Sequence, residues 1–160
     1  MKLKHLLLVE DDPHDEELTL AALKQFEFPH NIAVVHDGEE ALDYLYCRGR
    51  FEGRLGGDPI TVLLDLKMPK VNGVEVLQII KADERLRSVP IVMLTSSREE
   101  PDLRECYALG VNAYVVKPVD FTDFVKAVTQ LGIFWTTINE PPPMAPATLR
   151  PTTALLLQEN

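Results

Sequence analysis

Five short apolar runs punctuate the chain: HLLLV at 5–9, IAVV at 32–35, TVLLDL at 61–66, PIVMLT at 90–95 and AYVVK at 113–117. Each is four to six residues long and rich in Val, Ile and Leu, and most do not alternate with polar residues. A strand that buries one face alternates, whereas a strand buried on both faces is apolar throughout, as in a parallel sheet covered on both sides. Helical patterns fill the gaps. The first follows Asp12-Pro13, an N-cap with Pro in the first turn, and keeps Leu18, Ala21, Ala22 and Gln25-Phe26 at helical spacing. The second follows Asp37-Gly38 with Ala41, Leu42 and Leu45 on one stripe, and the third follows Asn72-Gly73 with Val74, Leu77 and Ile80-Lys81. Ser97, with Glu100 three residues on, predicts a capping box at the start of the fourth. The fifth runs from about Phe121 to Ile138. Strand–helix alternation repeated five times predicts an open parallel α/β sheet with helices on both faces.

Two stretches break the rhythm. CRGRFEGRLGGD at 47–58 holds four glycines and three arginines and reads as a long loop. The segment 139–160 carries five of the twelve prolines and reads as an extended or partly disordered tail, in which ALLLQ at 154–158 could dock as a short helix. The expected organisation is therefore one domain over 1–138 and a Pro-rich tail over 139–160. The formal charge of −9 argues against a nucleic-acid surface or an anionic membrane as partner. Cys47 and Cys106 are too few for a disulfide scaffold and fit no zinc spacing. The apolar run Leu6–Val9 is too short for a signal peptide, and no run approaches a membrane span, so a reducing cytoplasm is the expected location.

In an open α/β sheet, function collects beyond the carboxyl ends of the strands. Strand one exits into Glu10-Asp11-Asp12, strand three into Asp65, strand four into Thr95-Ser96 and strand five into Lys117-Pro118. Carboxylates gathered on one rim repel one another unless a cation joins them. Oxygen donors without His or Cys suit Mg²⁺, with Mn²⁺ as an alternative, rather than zinc. A metal beside a nucleophilic carboxylate is the equipment for making an acyl phosphate, with Asp65 as the best nucleophile candidate. Lys117 would bring a point charge to a phosphoryl oxygen, and Thr95 a hydroxyl. Taken singly, the acids at 10–12 read equally well as helix-cap partners, Asp65 as a turn residue and Lys117 as a solvated lysine. Their common end of successive strands favours the joint reading.

LLLVEDDP, LLDLKMPKVNG, IVMLTSS and AYVVKP resemble, in order and separation, the successive signatures of the response-regulator receiver domain of two-component signalling, over roughly residues 4–135. The resemblance implies a flavodoxin-like (CheY-like) doubly wound sheet of five parallel strands in the order 2-1-3-4-5. It implies that Asp65 accepts phosphate from a histidine kinase, that Asp11 binds Mg²⁺ directly and Glu10 largely through water, and that the backbone carbonyl of Lys67 completes the metal site. Thr95 and Lys117 match the phosphate-contacting hydroxyl and lysine, and Tyr114 matches the switch aromatic that turns inward behind Thr95. Pro118 matches the proline whose preceding bond is usually cis in the family. Lys67 and Ser97 match the positions that tune the acyl-phosphate lifetime. Such a protein is a phosphoacceptor with self-phosphorylation and autodephosphorylation chemistry rather than an enzyme. The long loop after the second helix, with QLGIFWTTINEPPP, further resembles receivers paired with phytochrome-type photoreceptor kinases. A phosphorelay intermediate that passes phosphate to a histidine phosphotransfer protein, or a pseudo-receiver that only binds partners, are the alternatives.

The last helix pattern carries more apolar residues than one stripe requires. Phe121, Phe124, Val125, Val128, Leu131 and Trp135 would face the sheet, leaving Ile133, Phe134 and Ile138 over. Surplus apolar residues of this kind, with an aromatic among them, predict a protein interface, a homodimer through the C-terminal helix or through the face of the fourth helix, fifth strand and fifth helix.

Overall fold

The computed structural model of the chain describes residues 4–25 and 31–143. Five strands, β1 (His5–Val9), β2 (Asn31–Val35), β3 (Thr61–Leu64), β4 (Ile91–Thr95) and β5 (Ala113–Val116), pair in parallel in the order β2-β1-β3-β4-β5. Helices α1 (Pro13–Lys24), α2 (Gly38–Leu45), α3 (Gly73–Ala82), α4 (Glu100–Ala108) and α5 (Phe121–Ile133) connect them. The absence of alternation in the central strands has its cause in packing. Leu7, Val9, Val62, Leu64, Ile91 and Met93 point to one face, against Leu42 and Leu45 of α2, Val76, Leu77 and Ile80 of α3, and Cys106 of α4. Their neighbours Leu6, Leu8, Leu63, Val92 and Leu94 point to the other, against Ala22 and Leu23 of α1 and Phe124 and Val128 of α5. Edge strand β5 is only half-buried.

Side chains start the first three helices at the positions where the sequence begins them. Asp12, Asp37 and Asn72 cap α1, α2 and α3 by accepting backbone N–H groups. The capping box at Ser97 does not form. With Ser97 as cap, Pro101 would fall four residues into the helix, where its ring meets the Ser97 carbonyl and its missing N–H loses a bond. The helix instead begins at Glu100 with Pro101 in its first turn. The fifth helix is regular to Ile133 and ends in a π-helical turn, Phe134–Ile138. Phe121 leaves the expected core stripe: in the first turn of α5 it lies at the rim, 62% exposed, while Phe124, Val128, Leu131 and Trp135 pack on the sheet. Ala21 of α1 also faces solvent, and Thr19, Ala22 and Leu23 form the buried stripe. The described residues contain no cis peptide, so the Lys117–Pro118 bond is trans, the isomer an X–Pro bond favours by ~0.5–1 kcal/mol.

The segment 47–58 is a loop with one 3₁₀ turn, Gly49–Phe51, pinned by Arg54. Its Nε donates to the Tyr44 carbonyl at 3.0 Å and its guanidinium lies 4.0 Å from the centre of the Tyr44 ring. The ALLLQ segment lies outside the described residues. Among the described residues, no helix is long and apolar enough to cross a membrane.

Candidate functional site

β1, β3 and β5 all end at the same rim, and their exits bring the charged residues together. One carboxylate oxygen from each of Glu10, Asp11 and Asp65 lies within 4.8 Å of the others. Glu10 is 1% exposed, whereas Asp11 is open to solvent. Asp65 follows the last residue of β3, and its N–H donates to the Val9 carbonyl at 3.1 Å, so the sheet itself fixes it beside β1. The loop behind it is equally constrained. A Cβ on Gly73 would come within 2.2 Å of the Asp65 carbonyl oxygen, so only glycine lets α3 start this close to the acid.

Lys117 projects into this cluster from the end of β5. Its ammonium donates to Glu10 Oε2 at 2.7 Å, Asp15 Oδ2 at 2.9 Å and Asp65 Oδ2 at 3.4 Å, with its side chain 7% exposed. Burial disfavours the Lys117 charge, but the hydrogen bonds to Glu10 and Asp15 and the Asp65 charge outweigh it and hold its pKa above the ordinary lysine value. Burial pushes the Glu10 carboxyl up to about 7, against the Lys117 hydrogen bond and with the help of the Asp65 charge. Asp12 joins the cluster only through its backbone, whose N–H donates to Glu10 Oε1 at 3.1 Å. It accepts N–H groups of His14 and Asp15 at 2.8 and 3.1 Å, which lowers its pKa, and it serves as the cap.

At the exit of β4, the buried Thr95 hydroxyl accepts the Ser97 N–H at 3.2 Å. The Tyr114 hydroxyl donates to the Ser97 carbonyl at 3.0 Å. Ser97 thus stands between the two, and its own hydroxyl donates to Asp102 in the first turn of α4 at 2.5 Å. Burial raises the Tyr114 pKa, opposed by the bond to Ser97. Lys67 lies two residues past Asp65 with an exposed side chain, at a cleft between α3 and α4 that Asp102 and Glu105 also line.

The donor set fits a divalent cation. Three carboxylates offer hard oxygen ligands on one open-sided cluster, and neither His nor Cys is among them. Sequence reasoning placed Glu10, Asp11, Asp65, Thr95 and Lys117 on this rim but missed Asp15. Only its place in the acidic run EDDPHDEE signalled it, since the partner it meets is 102 residues away.

Comparison with known proteins agrees with this geometry. The response regulator receiver domain model matches residues 6–129. The probable methanogenesis regulatory protein FilR2 of Methanothrix harundinacea is 42% identical over 137 residues, 86% of this chain and 86% of its own. Response regulator Rcp1 of Synechocystis is 37% identical over 82% of this chain and 88% of its own, and its Mn²⁺-bound crystal structure superposes with a TM-score of 0.82 at 36% identity over 88% of this chain and 99% of that one. The bacteriophytochrome response regulator RtBRR is 58% identical over 88% of this chain and 85% of its own, with a TM-score of 0.71. Strand order, the acidic rim and these matches converge: the chain belongs to the response regulator receiver family, phosphoacceptor modules that bind a divalent metal and work with histidine kinases.

Proposed function

We propose that Asp65 is the phosphoacceptor and that the observation carrying this role is the cluster of Glu10, Asp11 and Asp65 with the Lys117 ammonium in contact with both Glu10 and Asp65. An Asp65 oxygen forms a bond to phosphorus as the N–P bond of a kinase phosphohistidine breaks, and the departing imidazole takes up one proton. Lys117 supplies positive charge to the phosphoryl oxygens, and Thr95 a hydroxyl. Asp11, Asp65 and the Lys67 carbonyl would hold Mg²⁺ directly and Glu10 largely through water, and the ion would offset the negative charge that these carboxylates set against an incoming phosphoryl group. Phosphorylation draws the Thr95 hydroxyl inward, and the existing bonds through Ser97 carry that movement to Tyr114 and α4.

The receiver unit ends near residue 138, followed by the Pro-rich tail. The likeness to RtBRR, together with the long loop 47–58, supports a phytochrome-type photoreceptor histidine kinase as partner, in the cytoplasm. Ile133, Phe134 and Ile138, 38%, 43% and 67% exposed, support a homodimer through the end of α5. Labelling with acetyl phosphate in the presence of Mg²⁺ tests the central assignment. Wild type should take up label stoichiometrically, and Asp65→Asn should take up none while keeping its fold. Equal labelling of the two would refute it.

A further inference from the structure

Asp15 sits in the first turn of α1, where its N–H is held by the Asp12 cap, and its carboxylate reaches Lys117. An ammonium has three N–H groups. Here three carboxylates take them: two at short range, Glu10 at 2.7 Å and Asp15 at 2.9 Å, and the acceptor Asp65 only at 3.4 Å. The N–H aimed at Asp65 is the most weakly held, and as a phosphoryl oxygen there draws the ammonium toward itself, the two short contacts are the ones that lengthen. Glu10 is the harder one to release. It is 1% exposed, so an oxygen given up by the ammonium there lies out of reach of bulk water. Asp15 is 30% exposed and borders a cavity of about 300 Å³ together with His14, Ser96 and Pro118, where water can take over its oxygen. Its charge also faces the dianion that must arrive.

We propose that Asp15 is a positioning residue that holds the Lys117 ammonium on the α1 side of the pocket in the unphosphorylated protein, and that phosphorylation exchanges this contact for one to a phosphoryl oxygen. The proposal rests on Asp65 being the acceptor.

The test uses Asp15→Asn in the full chain, which removes the charge and keeps an acceptor oxygen. In the probe reaction with acetyl phosphate and saturating Mg²⁺, an Asp65 oxygen–phosphorus bond forms, the phosphorus–oxygen bond to acetate breaks, and acetate leaves with the electron pair. The half-saturating acetyl phosphate concentration should fall about fivefold, the size expected for one partly exposed ion pair, with the maximal rate changed much less. Affinity for beryllofluoride, a phosphoryl stand-in read by calorimetry, should rise by the same factor. In a Lys117→Ala background, Asp15→Asn should produce no shift. An unchanged or raised half-saturating concentration, with only a lower melting temperature, would show that Asp15 merely ties α1 to β5 and would overturn the proposal. An equal shift without Lys117 would overturn it as well, since Asp15 would then act through its field alone. Label on Asp65→Asn would instead remove the acceptor assignment, an outcome distinguishable from both.

Discussion

Two lysines, Lys117 and Lys81, are drawn into the protein at opposite ends of the sheet, and each donates to three oxygens. Lys117 meets carboxylates of Glu10, Asp15 and Asp65 where the strands exit. Lys81, in the last turn of α3, meets the Arg87 and Val89 carbonyls at 3.0 and 3.1 Å and Asn112 Oδ1 at 3.0 Å, where β4 and β5 begin. Burial lowers the Lys81 pKa, and no ion pair offsets it among the described residues. At Lys117 the same burial is overcome, and the pKa is raised. The difference lies in the acceptors. Neutral oxygens satisfy the donors and staple a helix end to two strands. Carboxylates overcompensate the charge and leave a cluster with net negative charge that can recruit a cation and, with it, a phosphoryl group.

Exchanging each lysine for methionine should break the pair apart. Lys117→Met should slow acetyl phosphate labelling by about 10²-fold or more, the scale of losing one charge-stabilising donor in a reacting site. Lys81→Met should label at the wild-type rate. A rate loss at Lys81 as large as at Lys117 would mean that the two ends are not functionally separate. The next effect is on stability. Lys81→Met strands two carbonyls near β4 while removing a desolvated charge, for a net loss of about 2 kcal/mol. A lower urea midpoint at unchanged slope would record it, and no loss would show that the staple is ornamental.

The same contrast explains how far the sequence could be read. Strand-end residues were legible because a parallel sheet sends every strand exit to one rim, so Asp11, Asp65 and Lys117 converge once the five runs are recognised. The cap Asp12, and the helix starts after Asp37 and Asn72, were legible because the bonds that make them span two or three residues. Lys81 looked like an ordinary helix-end lysine and Asp15 one acid among six, because what defines them is contact across 31 and 102 residues. Ser97 was misread as a cap because Pro101 was not weighed against it. Phe121 was misassigned because helical spacing does not reveal where a helix overhangs the sheet.

A carboxylate cluster stores repulsion that a neutral cluster does not. Asp65→Asn removes one of three acids whose oxygens lie within 4.8 Å, at the loss of only the longest Lys117 contact. The variant should therefore be more stable than wild type by about 1 kcal/mol in chelator, from close like charges at partly screened range. Millimolar Mg²⁺ should shrink the gap by stabilising wild type more. Equal urea midpoints in chelator would mean that Lys117 already neutralises the cluster.

The smallest effect separates the two lysines by pH. The folded pKa of Lys81 lies below its unfolded value near 10.5. Between those values the unfolded chain binds more protons, so the Lys81 contribution to stability rises as pH climbs through the folded pKa toward 10.5. Lys117 has the opposite sign. Its folded pKa lies above 10.5, so its contribution is complete below 10.5 and is lost as pH climbs past it through the folded value. Of the two lysines, only Lys81 should therefore tilt the curve below about pH 10.5. The stability advantage of wild type over Lys81→Met, read from urea midpoints at about pH 8 and about pH 10, should widen with pH. An advantage that narrows instead would place a carboxylate against Lys81 in solution, and the two lysines would differ in degree rather than in kind.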